Sequence, residues 1–381
     1  MKKTILTILG FAIVVSGLLA QTNMGHDDFL NPIYTGIPSL SIAPDAKSGG
    51  MGDVGAATTP DVFSQHWNPS KYAFMESPVG FAFSYTPWLS QLVDDINLGY
   101  VCGYWKLDDN QAFSSSIRYF SLGRVLLKQH EHDPGMNATP NEFALDLAYS
   151  RKLSENFSAS VAFRYIRGDL NVPQSNSGEP MMKPANALAA DISAYYQTPI
   201  TMAAGDAMLA FGANVSNIGN KITYYEDGDS YNFLPTNLRL GGSFDVPLDN
   251  FNRFSVNADI NKLLVVAKGN YAPDEYNKMS MLSSIFSSFG DSSFKDELQE
   301  VMWSVGLEYS YDRQFFVRAG YFNEHDNKGG RKYFTAGVGF KLNVFQLDAG
   351  YVIATSQNNP LNKTLRFSLS FDLYGLGDLM N

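Results

Sequence analysis

Apolar and polar side chains alternate along most of the chain after residue 78. In the stretch 364–373, apolar residues occupy every second position on one face and polar residues occupy the other face. Because successive side chains of a β-strand point to opposite faces, this pattern predicts a strand with one apolar side. About fourteen segments follow the pattern, each near the roughly 9–11 residues with which a tilted strand crosses a bilayer. They are 78–87, 96–106, 111–121, 141–152, 156–168, 186–198, 206–217, 235–247, 252–264, 301–311, 314–323, 331–342, 344–354 and 364–373.

The connections between these segments alternate between short and long. Short turns at one rim and long loops at the other are typical of bacterial outer-membrane barrels. The sequence therefore predicts an all-β fold, a transmembrane antiparallel β-barrel of about 14 strands, with periplasmic termini and extracellular long loops. A soluble β-sandwich is the alternative, because its strands also alternate, but it requires no alternation of loop length. The short turns are 106–110, 151–155, 311–313 and 341–343, and the long loops are 122–140, 169–185, 218–234 and 265–300.

The polar face of each predicted strand would line the interior of the barrel. Its charged residues have mixed signs, and unpaired charges in a narrow interior are costly. We therefore expect neutralised ionic networks rather than a selective ion path. The predicted inward-facing charges are Arg118, Asp146, Arg164, Asp191, Arg239, Asp259, Glu308, Arg318, Lys341, Asp348 and Arg366.

The beginning of the chain has the pattern of an export signal. Lys2 and Lys3 precede an apolar run that ends at Ala20, so residues 1–20 are predicted to be a signal peptide. The rest of the chain contains no apolar run of 18 residues, and its single cysteine, Cys102, rules out an intrachain disulfide framework. The net charge of −10 argues against nucleic acid as a partner, because binding phosphates requires clustered Lys and Arg.

Residues 21–77 show no strand alternation and come before the first predicted strand. They contain a glycine cluster that lacks the GxxxxGK[ST] pattern of a phosphate-binding loop. Glycine at such positions permits close backbone approach or a positive φ angle. We expect residues 21–77 to form a plug or hatch in the mouth of the barrel, which spans 78–381, with Trp67 as an apolar anchor and Asn68-Pro69 as a turn. The residues assigned to this motif are Gly49, Gly50, Met51, Gly52, Asp53, Gly55, Trp67, Asn68 and Pro69.

Two loops carry apolar residues that are candidates for binding a partner protein. In 279–289, apolar side chains recur at helical spacing and predict an amphipathic helix. This helix would either cap the barrel rim or offer its apolar face to a partner, where Met side chains adapt to varied surfaces. The candidates are Met281, Leu282, Ile285, Phe286 and Phe289 in this loop, and an exposed Trp88 with Leu89 and Leu92 in the first loop.

The sequence offers no set of residues with catalytic geometry. It contains no Ser/His/Asp or Cys/His set to which such a geometry can be assigned, and His66 has no second His or Cys at ligand spacing. We therefore expect a protein that is not an enzyme and that uses no cofactor or metal.

The N-terminal motifs resemble those of a known family. A signal peptide followed by SGGMGDVGAATTPD (48–61) and SQHWNPSKYAF (64–74) looks like the PorV family within the FadL-like outer-membrane barrel superfamily. The tail after Phe371 departs from many outer-membrane proteins because it lacks a terminal aromatic residue. That departure concerns how the C-terminus is recognised during barrel assembly.

The resemblance implies a role in the type IX secretion system of Bacteroidota. The barrel would bind the C-terminal signal domain of secreted cargo at the translocon barrel (Sov/SprA-type). It would then deliver the cargo to a sortase-like attachment complex (PorU/PorZ/PorQ-type) that joins it to lipopolysaccharide of the outer membrane. The alternative is a FadL-like channel for small hydrophobic molecules, which requires an apolar pocket in the lumen. The inward faces here carry mostly Ser, Asn, Asp and Arg.

Overall fold

Fourteen antiparallel strands close into a barrel in the computed structural model. The structure describes residues 31–88, 95–127, 136–171, 183–225, 230–355 and 361–373, so the predicted signal peptide and the C-terminal tail lie outside the described residues. Each barrel strand pairs with its sequence neighbour, and the last strand pairs with the first, from Gly80 opposite Asp372 to Tyr85 opposite Phe367. The predicted fold class and strand number are confirmed.

The sixteen strands of the described residues comprise the barrel and one separate hairpin, formed by β4 and β5 within the connection from β3 to β6. Their bounds are β1 Val79–Pro87, β2 Ile96–Asp108, β3 Gln111–Leu122, β4 Val125–Leu127, β5 Met136–Ala138, β6 Asn141–Lys152, β7 Phe157–Asp169, β8 Ala185–Met202, β9 Gly205–Gly219, β10 Asn237–Pro247, β11 Asn252–Leu263, β12 Met302–Tyr311, β13 Phe315–Asn323, β14 Lys332–Leu342, β15 Phe345–Ala354 and β16 Leu365–Asp372.

Short helices lie outside these strands. The α-helices of the described residues are α1 Ala46–Gly49, α2 Ser64–Trp67, α3 Pro273–Lys278, α4 Met281–Ser287 and α5 Phe294–Gln299. The 3-10 helices are Pro38–Ser41, Pro69–Phe74, Lys268–Asn270 and Asp326–Lys328. Within the described ranges, no helix combines the length and apolar character needed to span a membrane.

The alternation of side chains places apolar residues on the outside of the barrel. In β1, Phe81, Phe83 and Tyr85 are exposed, whereas Ala82 and Ser84 between them are buried. A belt of exposed aromatic and aliphatic side chains is what a transmembrane barrel presents to lipid. The connections alternate as predicted, so the barrel has a short-turn end, where β1 begins and β16 ends, and a long-connection end.

The hairpin of β8 and β9 is longer than the sequence pattern indicated. The predicted strand stopped at residue 198, before Pro199, but β8 continues to Met202 and Pro199 lies opposite Met208. The pairing of β8 with β7 ends at Tyr196, so beyond that point the strand pairs with β9 alone. A proline is tolerated there because one edge of the strand has no neighbour that needs its missing N–H.

Residues 31–77, called here the inner segment, form hydrogen bonds with strands from all sides of the barrel. Because the strands involved are distributed around the closed sheet, the inner segment lies within the barrel. The bonds include Ala46 N to Ser368 Oγ (2.8 Å), Gly52 N to Thr335 Oγ1 (2.8 Å), Gly55 N to Asp259 Oδ2 (2.8 Å), Asn68 Nδ2 to Ala194 O (2.9 Å) and Ser150 Oγ to Pro69 O (2.8 Å).

Glycine allows the inner segment to touch the barrel wall. Gly52 has a φ angle of +74°, and a Cβ atom there would lie 2.8 Å from the backbone nitrogen and oxygen of Tyr321. A Cβ atom on Gly50 would lie 2.9 Å from the Cα atom of Gly337. Two backbones therefore meet directly at these positions, which a larger residue would prevent.

Trp67 is anchored by a buried hydrogen bond. The residue is 1% exposed, and its Nε1–H donates to Asp45 Oδ1 at 2.6 Å. The other carboxylate oxygen of Asp45 accepts the Ser48 N–H at 2.8 Å and so caps helix α1. Burial raises the pKa of Asp45 to about 6, with Asp61 adding to the effect and the two N–H donors opposing it.

We predict that Gly52→Val destabilises the protein by about 2 kcal/mol or more. The side chain would strain a backbone with positive φ and collide with Tyr321. Equilibrium unfolding by guanidinium chloride in detergent measures the change. Gly290→Val is the matched control, because a Cβ atom at Gly290 has no atom within 4 Å. Equal stability of the two variants would contradict the close contact at Gly52.

We also predict that Asp259→Ala accelerates hydrogen exchange at Gly55 and Ala56. The Asp259 carboxylate accepts the backbone N–H groups of both residues, at 2.8 and 3.0 Å. Its removal leaves two buried donors unpaired, each at a cost of about 1–3 kcal/mol. Mass spectrometry of exchanged peptides covering 50–60 measures the effect, with the exposed Asp206→Ala as control. Unchanged protection in Asp259→Ala would refute this anchoring role.

Candidate functional site

The interior of the barrel contains the ionic networks that the sequence predicted. Arg164 binds Asp146 at 2.6 Å and Asp191 at 3.0 Å, and all three side chains are buried. Arg318 in the same way binds Glu308 at 2.6 Å and Asp348 at 2.6 Å. Each guanidinium therefore has two carboxylate partners, as buried charges require. The prediction of neutralised networks is confirmed for these residues.

One ionic contact connects the inner segment to the last barrel strand. Asp53 Oδ1 lies 2.5 Å from Arg366 Nη1, and Tyr333 donates its hydroxyl to Asp53 Oδ2 at 2.6 Å. The backbone of Asp53 has a φ angle of +61°, which turns the chain at this point. Asp53, chosen from the sequence as part of the glycine motif, thus contributes a charge that holds the inner segment against β14 and β16.

The inner segment separates two cavities. The cavity at the long-connection end has a volume of about 70 Å³, and the cavity at the short-turn end has a volume of about 360 Å³. The two cavities have no lining residue in common. The first is lined by Asp53, His66, Trp67, Arg164, Arg239 and Arg331, among others, and the second by Lys47, Asp61, Phe74, Arg253, Glu308 and Asp372, among others.

The size and lining of the cavity at the long-connection end limit what it can contain. A single water needs about 10–15 Å³ of such volume, so a cavity of about 70 Å³ holds only a few waters or one small ion. Its lining includes three arginines, and this is not the apolar pocket that a hydrophobic ligand requires.

The connection between β11 and β12 forms a small helical structure at the long-connection end. Tyr276 of α3 is fully buried against Phe233, Val265 and Val266, and Met279 and Met281 pack against the same cluster. Helix α5 is held by ionic contacts, because Glu300 at its end lies 2.5 Å from Lys262 and 3.1 Å from Lys328. The connection is thus fixed to the barrel by its own core.

Five apolar side chains of this connection point to solvent. We call them the rim residues. Three of them, on or beside α4, are among the predicted candidates, whereas Met281 and Ile285 are partly buried. Phe294 and Leu298 on α5 were missed, although their spacing of four residues after the capping residue Ser293 indicates a helix with an apolar stripe. The rim residues are Leu282 (59% exposed), Phe286 (77%), Phe289 (54%), Phe294 (80%) and Leu298 (58%).

The first loop differs from its prediction. Trp88 was expected to be exposed, but it is partly buried and packs against a cluster that includes Met302, Phe322 and Tyr333. The apolar ring finds this partner because the strand ends of β12, β13 and β14 lie at the same end of the barrel. Leu89 and Leu92 lie outside the described residues.

Comparison with solved structures finds channel proteins of low sequence identity. A mutant of the monoaromatic hydrocarbon channel TodX, lacking S2 and S3, has a TM-score of 0.53 at 11% identity, covering 86% of this chain and 98% of that chain. The toluene transporter TodX of Pseudomonas putida has a TM-score of 0.49 at 10% identity, covering 91% and 99%. A FadL homologue of Pseudomonas aeruginosa has a TM-score of 0.47 at 11% identity, covering 86% and 98%. The first similarity shows that the chain shares the barrel fold of that channel and shows nothing about the ligand.

A search of curated proteins finds no match. The family model described as "Type IX secretion system protein PorV" matches residues 26–270, which is more than half of the chain. Family and fold are those of outer-membrane secretion and transport barrels rather than of enzymes. The chain therefore belongs to the PorV family of type IX secretion system proteins.

Proposed function

We propose that this protein transfers secreted proteins from the translocon to the surface attachment complex in the last stage of type IX secretion. It binds the C-terminal signal domain of a cargo protein at the translocon barrel and delivers the cargo to the sortase-like attachment complex. That complex removes the signal and joins the cargo to lipopolysaccharide. Membership of the PorV family supports this role.

The observation that carries the proposal is the exposure of the rim residues to solvent. Exposed apolar side chains grouped on a rigid support mark sites of protein–protein contact. Helix α4 does not bury Leu282, Phe286 and Phe289, although the same connection has its own core around Tyr276. The energetic cost of leaving these side chains in water is explained if a partner covers them. Aromatic side chains also contribute strongly at the centres of interfaces.

The inner segment has a separate role in this proposal. It acts as a plug that prevents leakage through a barrel whose task is to bind proteins at its rim. The two cavities on either side of it, without a shared lining residue, support this assignment. In this proposal the short turns face the periplasm and the long connections face the outside, as in bacterial outer-membrane barrels. The first described residue, Asn31, lies at the long-connection end, where its N–H donates to Asn327 O at 2.9 Å, so the predicted periplasmic N-terminus does not hold for the described part of the chain.

The rim residues can be tested by substitution. We predict that Leu282→Gln, Phe286→Gln or Phe289→Gln each weakens binding of a purified cargo signal domain by about thirtyfold, because a central apolar contact contributes about 2 kcal/mol. Affinity is measured on the detergent-purified barrel with fluorescently labelled signal domain. The same variants are assayed with the purified translocon, which identifies the partner that the rim residues contact.

Ser283→Gln is the matched control for these variants. Ser283 is exposed on the same helix but is polar, so its substitution should leave the affinity unchanged. Barrel assembly is checked by the change in electrophoretic mobility on heating. If all rim variants bind both partners as tightly as the unmodified protein, the proposed docking surface is wrong.

The FadL-like channel for small hydrophobic molecules is the second candidate, because the fold is shared with a hydrocarbon channel. We predict that protein purified from its native outer membrane retains cargo signal domains and contains no stoichiometric fatty acid or aromatic hydrocarbon. Mass spectrometry of proteins and of extracted lipids measures both. A bound hydrophobic molecule in the absence of cargo would favour the channel instead.

A further inference from the structure

The cavity at the long-connection end is lined by an arginine that forms no ion pair with a carboxylate of the described residues. Arg164 and Arg331, which also line this cavity, are paired with Asp146 and Asp191 and with Glu324, respectively. In the part of the chain that the structure describes, Arg239 has no ion-pair partner. Its Nε donates to the Asn261 side chain at 2.8 Å, and its Nη1 is shielded from solvent without any hydrogen-bond partner.

A second unused donor lies in the same cavity on His66. The Arg118 Nη2 atom lies 3.0 Å from His66 Nδ1, and a guanidinium can only donate, so Nδ1 is the acceptor. Burial, followed by the nearby charge of Arg118, lowers the pKa of His66 well below its usual value, so the ring is neutral near pH 7. The single ring proton is therefore on Nε2. That atom is also buried without a partner.

Both donors flank the same aromatic ring. The Arg239 guanidinium lies 4.3 Å from the centre of the Trp67 ring, and the His66 ring is 4.7 Å from it in an edge-to-face arrangement. The indole thus holds the two groups on a common rigid support at the wall of the cavity. The acid that this lining includes, Asp53, already binds Arg366 and Tyr333.

Buried donors without acceptors are unfavourable, and here one of them belongs to a charged group that has no carboxylate of the described residues within ion-pair distance. A cavity of about 70 Å³ excludes a bulky ligand but admits a small group with several acceptor oxygens. The oxygens of a carboxylate or a phosphate match the donor geometry of a guanidinium. We propose that this cavity is a binding site for a single small oxyanion, a carboxylate or a phosphate, beside Trp67. Water does not reach Arg239 Nη1 or His66 Nε2 in this structure, so both side chains turn toward the anion when it binds.

The site can be tested with the detergent-purified full-length protein in the absence of partners, so the result does not depend on the proposed shuttle role. The probe is trifluoroacetate, whose ¹⁹F transverse relaxation is measured at pH 7 and constant ionic strength as protein is added. We expect saturable excess relaxation that acetate or inorganic phosphate abolishes by competition. The competitor that acts at the lower concentration identifies the preferred class of oxyanion.

Substitutions assign the binding to the two donors. Arg239→Gln should weaken binding of the probe at least about tenfold, as expected for loss of a hydrogen bond to a charged group. Arg253→Gln is the matched control, because Arg253 is a partly buried arginine paired with Asp245 that lines the other cavity. His66→Phe should also weaken binding, whereas His66→Gln should retain most of it, since the amide nitrogen of Gln can occupy the place of Nε2. His66→Phe also removes the acceptor for Arg118, whereas Gln keeps a carbonyl acceptor, so Arg118→Gln is measured beside it: that variant breaks the Arg118 contact, leaves Nε2 in place and should retain binding.

Folding of each variant is checked by circular dichroism and heat-dependent electrophoretic mobility. The two His66 variants provide the decisive comparison if Arg239→Gln does not assemble. Absence of saturable relaxation in the unmodified protein would overturn the proposal. Equal loss in Arg239→Gln and Arg253→Gln, or equal binding in His66→Phe and His66→Gln, would also overturn it.

Discussion

The hydrocarbon of a membrane offers no hydrogen bonds to a protein backbone, and this governs the whole architecture of the barrel. A sheet in that environment must have no free edge, so the first and last strands must pair. Fourteen strands closed in this way enclose an interior too wide for the inward side chains to fill. The inner segment occupies this space, and the small residues of its glycine motif allow it to lie directly against the wall.

Filling the interior with a polar chain buries charged and polar groups away from water, which is unfavourable unless each group has a partner. Arg164 and Arg318 are each paired with two carboxylates, and Arg366 is paired with Asp53 of the inner segment. Backbone N–H groups of that segment donate to a carboxylate of the wall. Such networks contribute less to net stability than their short distances suggest, because desolvation offsets most of the attraction. The contribution of these contacts here is to fix the position of the inner segment against the barrel wall. Arg118 and Arg239 differ from these three arginines, because neither has an acid partner among the described residues: Arg118 donates to two backbone carbonyls and to His66, and Arg239 lies over the Trp67 ring.

The sequence predicted the barrel closely because a transmembrane strand has a fixed length and a strict alternation, both visible without any tertiary information. The fold was therefore predictable almost strand by strand. The end of β8 was not, because Pro199 is unfavourable inside a sheet and acceptable only where the strand loses one neighbour. At the rim, the helix around Phe286 was predictable from spacing. The burial of Trp88 depends on which strand ends meet there, and the isolation of Arg239 depends on the distance of every acid from it, so neither can be read from local sequence.

The contacts of the inner segment also determine when it can reach its final position during assembly. Ala46 bonds to Ser368 and Asp53 to Arg366, so residues near the start of the chain bind residues more than 300 positions later. These bonds exist only once the final strand has been added, although the inner segment is synthesised first. Contacts so distant in sequence form slowly, because the intervening chain must be ordered before they can stabilise anything. The first-made part of the barrel protein therefore cannot complete its contacts before the last strand is in place.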